Sequence, residues 1–149
     1  MLECPFFGEQ ARFHHIGLAV RSIREASPAS EILDNKTQGV RYAFLRLNGI
    51  PIELLEPLGD QSPIAASVSK GLKLLHVCYE VPDLEAALES CRKAGLHRLG
   101  PPVRVPEFDN CRAAWVFSRQ LGLFELLEPD GRSSSPAAQS PVLGVRPGS

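Results

Sequence analysis

The sequence predicts an α+β fold made of two copies of one βαβββ module, and three observations carry that prediction. The string ELLEP occurs twice, as Glu53-Leu54-Leu55-Glu56-Pro57 and as Glu125-Leu126-Leu127-Glu128-Pro129. Each copy closes a strand-like run broken by a glycine turn, YAFLRLNGIPIELLEP from Tyr42 and AAWVFSRQLGLFELLEP from Ala113. Upstream, FHHIGLAV (Phe13 to Val20) aligns with LLHVCYEV (Leu74 to Val81), which sets His15 over His76, and a helix-start pattern follows each. Two matched segments in the same order within each half make duplication a better account than chance.

The second copy is the cleaner one. Leu72 to Val81 reads as a strand rich in Leu, Val and Tyr. Asp83 is a good N-cap, and Leu84, Ala87, Leu88 and Cys91 fall at i, i+3, i+4 and i+7, one apolar face of a helix. Gly95 sits where a left-handed residue ends such a helix. An irregular Pro-rich stretch, Gly100 to Pro106, leads to a strand over Cys111 to Ser118, a turn near Gln120 and a last strand over Gly122 to Leu127.

The first copy is abbreviated. Ser22 and Glu25 form a capping-box signature, and Ile23 and Ala26 begin an apolar face. Pro28 then breaks the helix, because a proline inside it removes a hydrogen bond and clashes with the preceding turn. His15 to Glu53 is 38 positions and His76 to Glu125 is 49, so the first module is 11 residues shorter, and the alignment puts the loss between Val20 and Val40. The rest of the helix, or one strand, is expected to be missing there.

The organisation follows: an N-terminal extension over 1–12, the first module over 13–58, a connector helix over 59–71 started by Ser62-Pro63, the second module over 72–129 and a tail over 130–149. That tail holds 11 Ser, Pro or Gly among its 20 residues and is read as disordered, since it cannot bury enough apolar surface to order itself.

Composition narrows the function. Sixteen basic residues balance seventeen acidic ones, with no basic stripe interleaved with aromatics, so nucleic acid is not expected as a partner. No apolar run reaches the ~18 residues that span a bilayer, and no membrane association is expected. The N-terminus lacks the pattern of a secretory signal, and Cys4, Cys78, Cys91 and Cys111 form no CxxC pair. They read as reduced thiols of a cytoplasmic protein.

The repeat also selects candidate site residues. Strand alternation puts His15 on a face with Phe13, Gly17 and Ala19, and His76 on one with Leu74, Cys78 and Glu80. Glu53 and Glu125 are each a lone charge inside an apolar strand, and a buried carboxylate must meet water, a counter-charge or a metal. Two His and two Glu, one of each per module, match the N/O ligand set of a divalent cation such as Zn, Co, Ni, Mn or Fe. The plain alternative is a hydrogen-bonded strand His and a solvent-facing strand Glu. His14 is expected on the opposite face and His97 lies past the helix, so both are read as structural. Glu56 and Glu128 have the opposite parity to Glu53 and Glu125. Cys78 faces the candidate site as a small core residue.

Together FHHIGLAV, QGVRYAFLRLNGIPIELLEPLGDQSPIA, LLHVCYEVPDLEAALESCRKAG and LGLFELLEP resemble the vicinal-oxygen-chelate superfamily (glyoxalase, bleomycin resistance, dioxygenase), in particular its methylmalonyl-CoA epimerase-like branch, over Phe13 to Pro129. The resemblance implies a half-open barrel of eight strands, or seven with the first module shortened. It implies one divalent metal ion held by His15, Glu53, His76 and Glu125. The implied chemistry is proton abstraction beside a carbonyl of a small acyl thioester, an acyl-CoA among them, with the metal as Lewis acid and a carboxylate as base. One departure stands out: epimerases usually carry a Glu before the residues matching Gln38-Gly39-Val40, as one of two acid/base groups, and Thr37 is found here. Glu125, and with it Glu53, is then the available catalytic carboxylate of an isomerase or lyase.

The alternative is a non-catalytic binder of a small molecule such as an antibiotic, favoured by Thr37 and the short first module and opposed by the intact ligand set. The fold suggests a homodimer, since small modules of this kind cover sheet edges with a partner. Arg41, Arg46, Arg104 and Arg112 are candidates for a CoA phosphate by position only.

Overall fold

The computed structural model describes residues 1–131. The tail read as disordered falls, from residue 132 onward, outside the described residues. The first module runs β1 (Arg12–Ala19), α1 (Ile23–Ala26), β2 (Leu33–Asn35), β3 (Val40–Leu47) and β4 (Ile50–Pro57). After the connector α2 (Ala65–Ser69), the second runs β5 (Leu74–Glu80), α3 (Leu84–Lys93), β6 (His97–Arg98), β7 (Val103–Val105), β8 (Cys111–Ser118) and β9 (Gly122–Glu128). The strands form one open mixed sheet in the order β2-β3-β4-β1-β5-β9-β8-β6, with β7 also paired to β8. Within each module the first and last strands pair in parallel, β1 with β4 and β5 with β9, and antiparallel β1–β5 pairing joins the modules.

The missing 11 residues come from both sources named above. α1 is a single turn of four residues against ten in α3, and β6 has no counterpart in the first module. Ser22 caps α1 by accepting a hydrogen bond from Glu25 N at 3.2 Å, and the turn ends two residues before Pro28. Asp83 caps α3 by accepting from Ala86 N at 3.0 Å, and Gly95 follows it at φ 81°. Leu84, Ala87, Leu88 and Cys91 are buried as their spacing requires, packed on Val116 and Leu126 of the sheet. Phe7 of the N-terminal extension completes that core against Tyr79 and Phe124. In the first module the shorter helix contributes one buried residue, Ile23, which packs with Ala43, Ile52 and Leu54.

Two local expectations are corrected. The Pro-rich stretch before β8 is not wholly irregular, since Val103–Val105 pairs with Ala113, Arg112 and Cys111. Ser62 does not start the connector helix: Ile64 stands at its N-cap without a side-chain bond, and the Ser62 hydroxyl is buried with no partner. No helix among the described residues is long and apolar enough to cross a membrane.

Candidate metal centre

The second glutamate of each ELLEP string has a structural task. Glu56 accepts a hydrogen bond from Ile23 N at 2.8 Å, and Glu128 accepts one from Leu84 N at 2.6 Å. Each last strand therefore caps the helix of its own module with a carboxylate, where the helix dipole favours negative charge. Arg41 (to Glu56 and Asp34) and Arg112 (to Glu128 and Glu85) complete the two arrangements. Arg104 donates to Asn110 O and Arg46 to Gly49 O. Each of these four arginines thus has a local partner.

The first glutamate of each string points to the other face, as strand alternation requires. Sheet register places Glu53, Gly17 and His76 in one row across β4, β1 and β5, and His15, Cys78 and Glu125 in the next row across β1, β5 and β9. The middle member of each row is small, which lets the outer side chains lean together. A Cβ at Gly17 would lie 2.1 Å from His76 Cε1, so the His76 ring fills the space a side chain there would take. Phe44, cross-strand from Glu53, meets the His15 ring edge-on at 5.3 Å; Trp115, cross-strand from Glu125, meets His76 at 4.9 Å. The duplication is thereby repeated in the aromatic walls.

All four ligand candidates converge, with donor atoms within 4.8 Å of one another. His15 Nε2 lies 3.1 Å from His76 Nε2, 3.0 Å from Glu53 Oε2 and 3.6 Å from Glu125 Oε2. His76 Nε2 lies 3.2 Å from Glu125 Oε2 and 3.6 Å from Glu53 Oε2. Donors about 2.1 Å from a common cation stand about 3.4 Å apart in a tetrahedron and about 3.0 Å apart in an octahedron, so the observed spacings suit either. One proton between the two rings satisfies only that pair, whereas a cation satisfies two nitrogens and two carboxylates together.

The electrostatics point the same way. Burial, then the charge of Glu125, pushes the Glu53 carboxyl up to about 8. Burial pushes Glu125 up as well, but the hydrogen bond and charge of His76 outweigh it and hold this carboxyl low. The pair thus shares a proton that a divalent cation would displace. Burial lowers His15 to about 4, leaving a neutral imidazole, the form that ligates metals. The donor set therefore fits a divalent cation.

His14 is corrected. The β1–β5 register shifts between Phe13 and His15, and this bulge brings His14 to the site: its Nδ1 lies 2.7 Å from His15 Nδ1. With His15 Nδ1–H donating, His15 Nε2 is left as a lone pair facing the cluster, the second-layer support that metal-bound histidines commonly have. No sequence signal announced the bulge. Cys78 is fully buried and its thiol is pushed well up by burial, so it stays protonated as a core residue.

A cavity of about 10 Å³ over the cluster is lined by His15, Asn35, Gln38, Glu53, Val105, Phe108, Cys111, Glu125 and Leu127. Its roof comes from equivalent loops of the two modules, 36–39 and 106–110. They meet where Thr37 N and Oγ1 donate to the Glu107 carboxylate at 2.8–3.1 Å, and where Tyr42 donates to Glu107 O at 3.0 Å. A carboxylate thus stands at Thr37, supplied by the opposite module. Hydrogen bonds from its own backbone N–H and from Thr37 hold Glu107 below the usual carboxylate range.

A duplicated βαβββ half-barrel with one inward His and one inward Glu per module defines a class of small two-module proteins. The comparisons agree on which one: residues 14–115 match the Glyoxalase/Bleomycin resistance protein/Dioxygenase superfamily. The chain belongs to that superfamily, the vicinal-oxygen-chelate fold. Among relatives, an ethylmalonyl-CoA/methylmalonyl-CoA epimerase of Cereibacter sphaeroides is 35% identical over 60% of this chain and 75% of its own. The mitochondrial methylmalonyl-CoA epimerase of Homo sapiens is 30% identical over 63% of this chain, and the match spans only 60% of that longer protein. A hypothetical protein of Bacillus halodurans superposes with TM-score 0.69 at 28% identity, covering 85% of this chain and 100% of that one. Methylmalonyl-CoA epimerase of Mycobacterium tuberculosis shares the fold with TM-score 0.67 at 23% identity, over 89% of this chain and 95% of that one.

Proposed function

We propose that the chain is a metal-dependent isomerase or lyase of the glyoxalase or methylmalonyl-CoA epimerase type, removing a proton beside the carbonyl of a small acyl thioester or similar compound. The observation that carries this reading is the convergence of His15, Glu53, His76 and Glu125 within 4.8 Å on one face of four adjacent strands. These four side chains would hold one divalent cation, which when bound supplies Lewis-acid polarisation of a carbonyl oxygen. Glu125, held ionised by His76, accepts the proton, and Glu53 is the second carboxylate able to store and return one. Val105, Phe108 and Leu127 wall the cavity with apolar surface, which keeps water from competing for the proton. The epimerase names of the relatives support the reaction class.

The test is metal content by mass spectrometry on the wild type beside His76→Ala, with α-proton exchange of acyl thioesters in deuterated water followed by NMR. One divalent ion per chain, lost in the variant together with exchange, supports the reading. No metal in either protein, even after incubation with excess zinc, manganese or cobalt, removes it.

A further inference from the structure

We propose that Gln38 is a ligand-contacting residue whose side-chain amide donates to an oxygen of the molecule bound over the four-donor cluster, so that this molecule presents a carbonyl or carboxylate oxygen there. The orientation of the amide is fixed by a chain of bonds starting at the backbone. Gln38 N can only donate, and it donates to Asn35 Oδ1 at 3.0 Å. The other end of Asn35 is then Nδ2, which donates to Gln38 Oε1 at 2.7 Å. Gln38 Oε1 is thereby committed, and Nε2 is the end left over. That Nε2 is buried and has no hydrogen-bond partner, one of two such side-chain atoms among the described residues, the other being Ser62 Oγ.

An unpartnered buried donor forgoes its hydration with nothing in return, and native structures keep few of them without a reason. Here the donor belongs to a residue lining the cavity with His15, Glu53 and Glu125. His15 and His76 engage the Oε2 atoms of Glu53 and Glu125, and Val105, Phe108 and Leu127 offer no side-chain acceptor. Gln38 helps to keep the Glu125 carboxyl low, yet Nε2 makes no well-formed hydrogen bond to it. The turn that carries Gln38 is closed by its backbone N–H and by its Oε1, so the loop makes no use of Nε2. An incoming oxygen satisfies the donor, whereas an incoming amine or ammonium meets N–H against N–H and is rejected.

This assignment deepens the proposed metal-dependent reading, and the experiment separates the two. The full chain, isotope-labelled at glutamine side-chain nitrogens, is titrated first with zinc and then with malonate, beside Gln38→Met, which keeps the size and loses the donor together with the Oε1 acceptor of Asn35 Nδ2. Equal zinc uptake by both proteins leaves the cluster intact; malonate then moves the Gln38 amide resonance and binds about tenfold more weakly to the variant. Equal malonate affinity, or an unmoved Gln38 amide, overturns the Gln38 assignment while zinc uptake keeps the metal reading. If neither protein takes up zinc, the metal reading fails, and malonate is added to the metal-free wild type: a moved amide upholds the assignment, an unmoved one overturns it. Should Gln38→Met not fold, the wild-type amide response decides alone.

Discussion

Gly17 and His76 face each other across the β1–β5 ladder so closely that a Cβ on residue 17 would stand 2.1 Å from His76 Cε1 and 2.4 Å from Nδ1. Backbone conformation does not demand glycine here, because residue 17 has an ordinary strand φ; the demand is for space alone. Gly17→Ala must therefore push the imidazole off the cluster. The expected result is a loss of metal affinity of about 100-fold and a stability cost of about 1–3 kcal/mol from overpacking. Competition titration with a chromophoric chelator, together with urea unfolding, measures both. Wild-type affinity in Gly17→Ala would contradict the cradle.

Much of this arrangement was legible in the sequence because duplication writes the same constraint twice. ELLEP at two places, each with a His strand upstream, picks out His15, Glu53, His76 and Glu125 as one set. Alternation alone put Glu53 and Glu125 on one face and Glu56 and Glu128 on the other. The rest depends on contacts between segments distant in sequence, which no local pattern carries. His14 reached the site through a bulge that parity reasoning does not see. The Thr37–Glu107 contact spans 70 residues. The helix-capping task of Glu56 and Glu128 needed the packing of each last strand beneath its helix. Val103–Val105 became a strand by pairing with β8, against its Pro-rich flanks.

The metal-free protein has a distinctive pH response. Glu53 binds its proton more tightly folded, to about 8, than at its ordinary value of 4.5. As pH rises between these values the unfolded chain releases the proton first, so stability falls. His15, lowered from 6.5 to about 4, and His14, also lowered by burial, act in the opposite sense, and their contribution grows as pH rises until the unfolded imidazoles are neutral, about one unit above 6.5. From there the Glu53 effect governs, and stability declines toward pH 8. A bound cation displaces that proton and so removes the decline, leaving holoprotein stability level over the same interval. Melting temperatures on approach to pH 8 should therefore fall with chelator and stay level with excess zinc; parallel slopes would contradict a shared site.

Helix capping by strand carboxylates predicts an asymmetry between two equivalent residues. Glu128 caps the ten-residue α3, whose buried face anchors the larger core, while Glu56 caps the single turn of α1. Glu128→Ala should cost about 1–2 kcal/mol and Glu56→Ala less than about 1 kcal/mol, because less structure depends on the shorter helix. Urea midpoints of the two variants test the ordering. Neither should alter metal stoichiometry, since both carboxylates point away from the cluster.

The cavity of about 10 Å³ has room for a single water-sized body, so no acyl compound reaches the cluster without movement of the roof. The two roofing loops are joined by the Glu107 carboxylate on Thr37, while Tyr42 and Phe44 of β3 hold the second loop, the one through Glu107 O and the other through the Phe108 ring at 5.6 Å. The Thr37–Glu107 contacts are solvent-exposed, while the Tyr42 bond and the ring contact are partly buried, so the Thr37 latch is the weaker half of the closure. Glu107→Ala removes the carboxylate that holds Thr37 and leaves the Phe108 contact. Hydrogen exchange over 36–39 and 106–110 should then quicken by on the order of tenfold, with exchange in β1 and β5 unchanged. A ligand confined under the roof should leave faster as well, so malonate dissociation should accelerate with little change in zinc affinity. Exchange that quickened equally throughout the sheet would mean that Glu107 supports the whole fold and that the roof is not a separately opening unit.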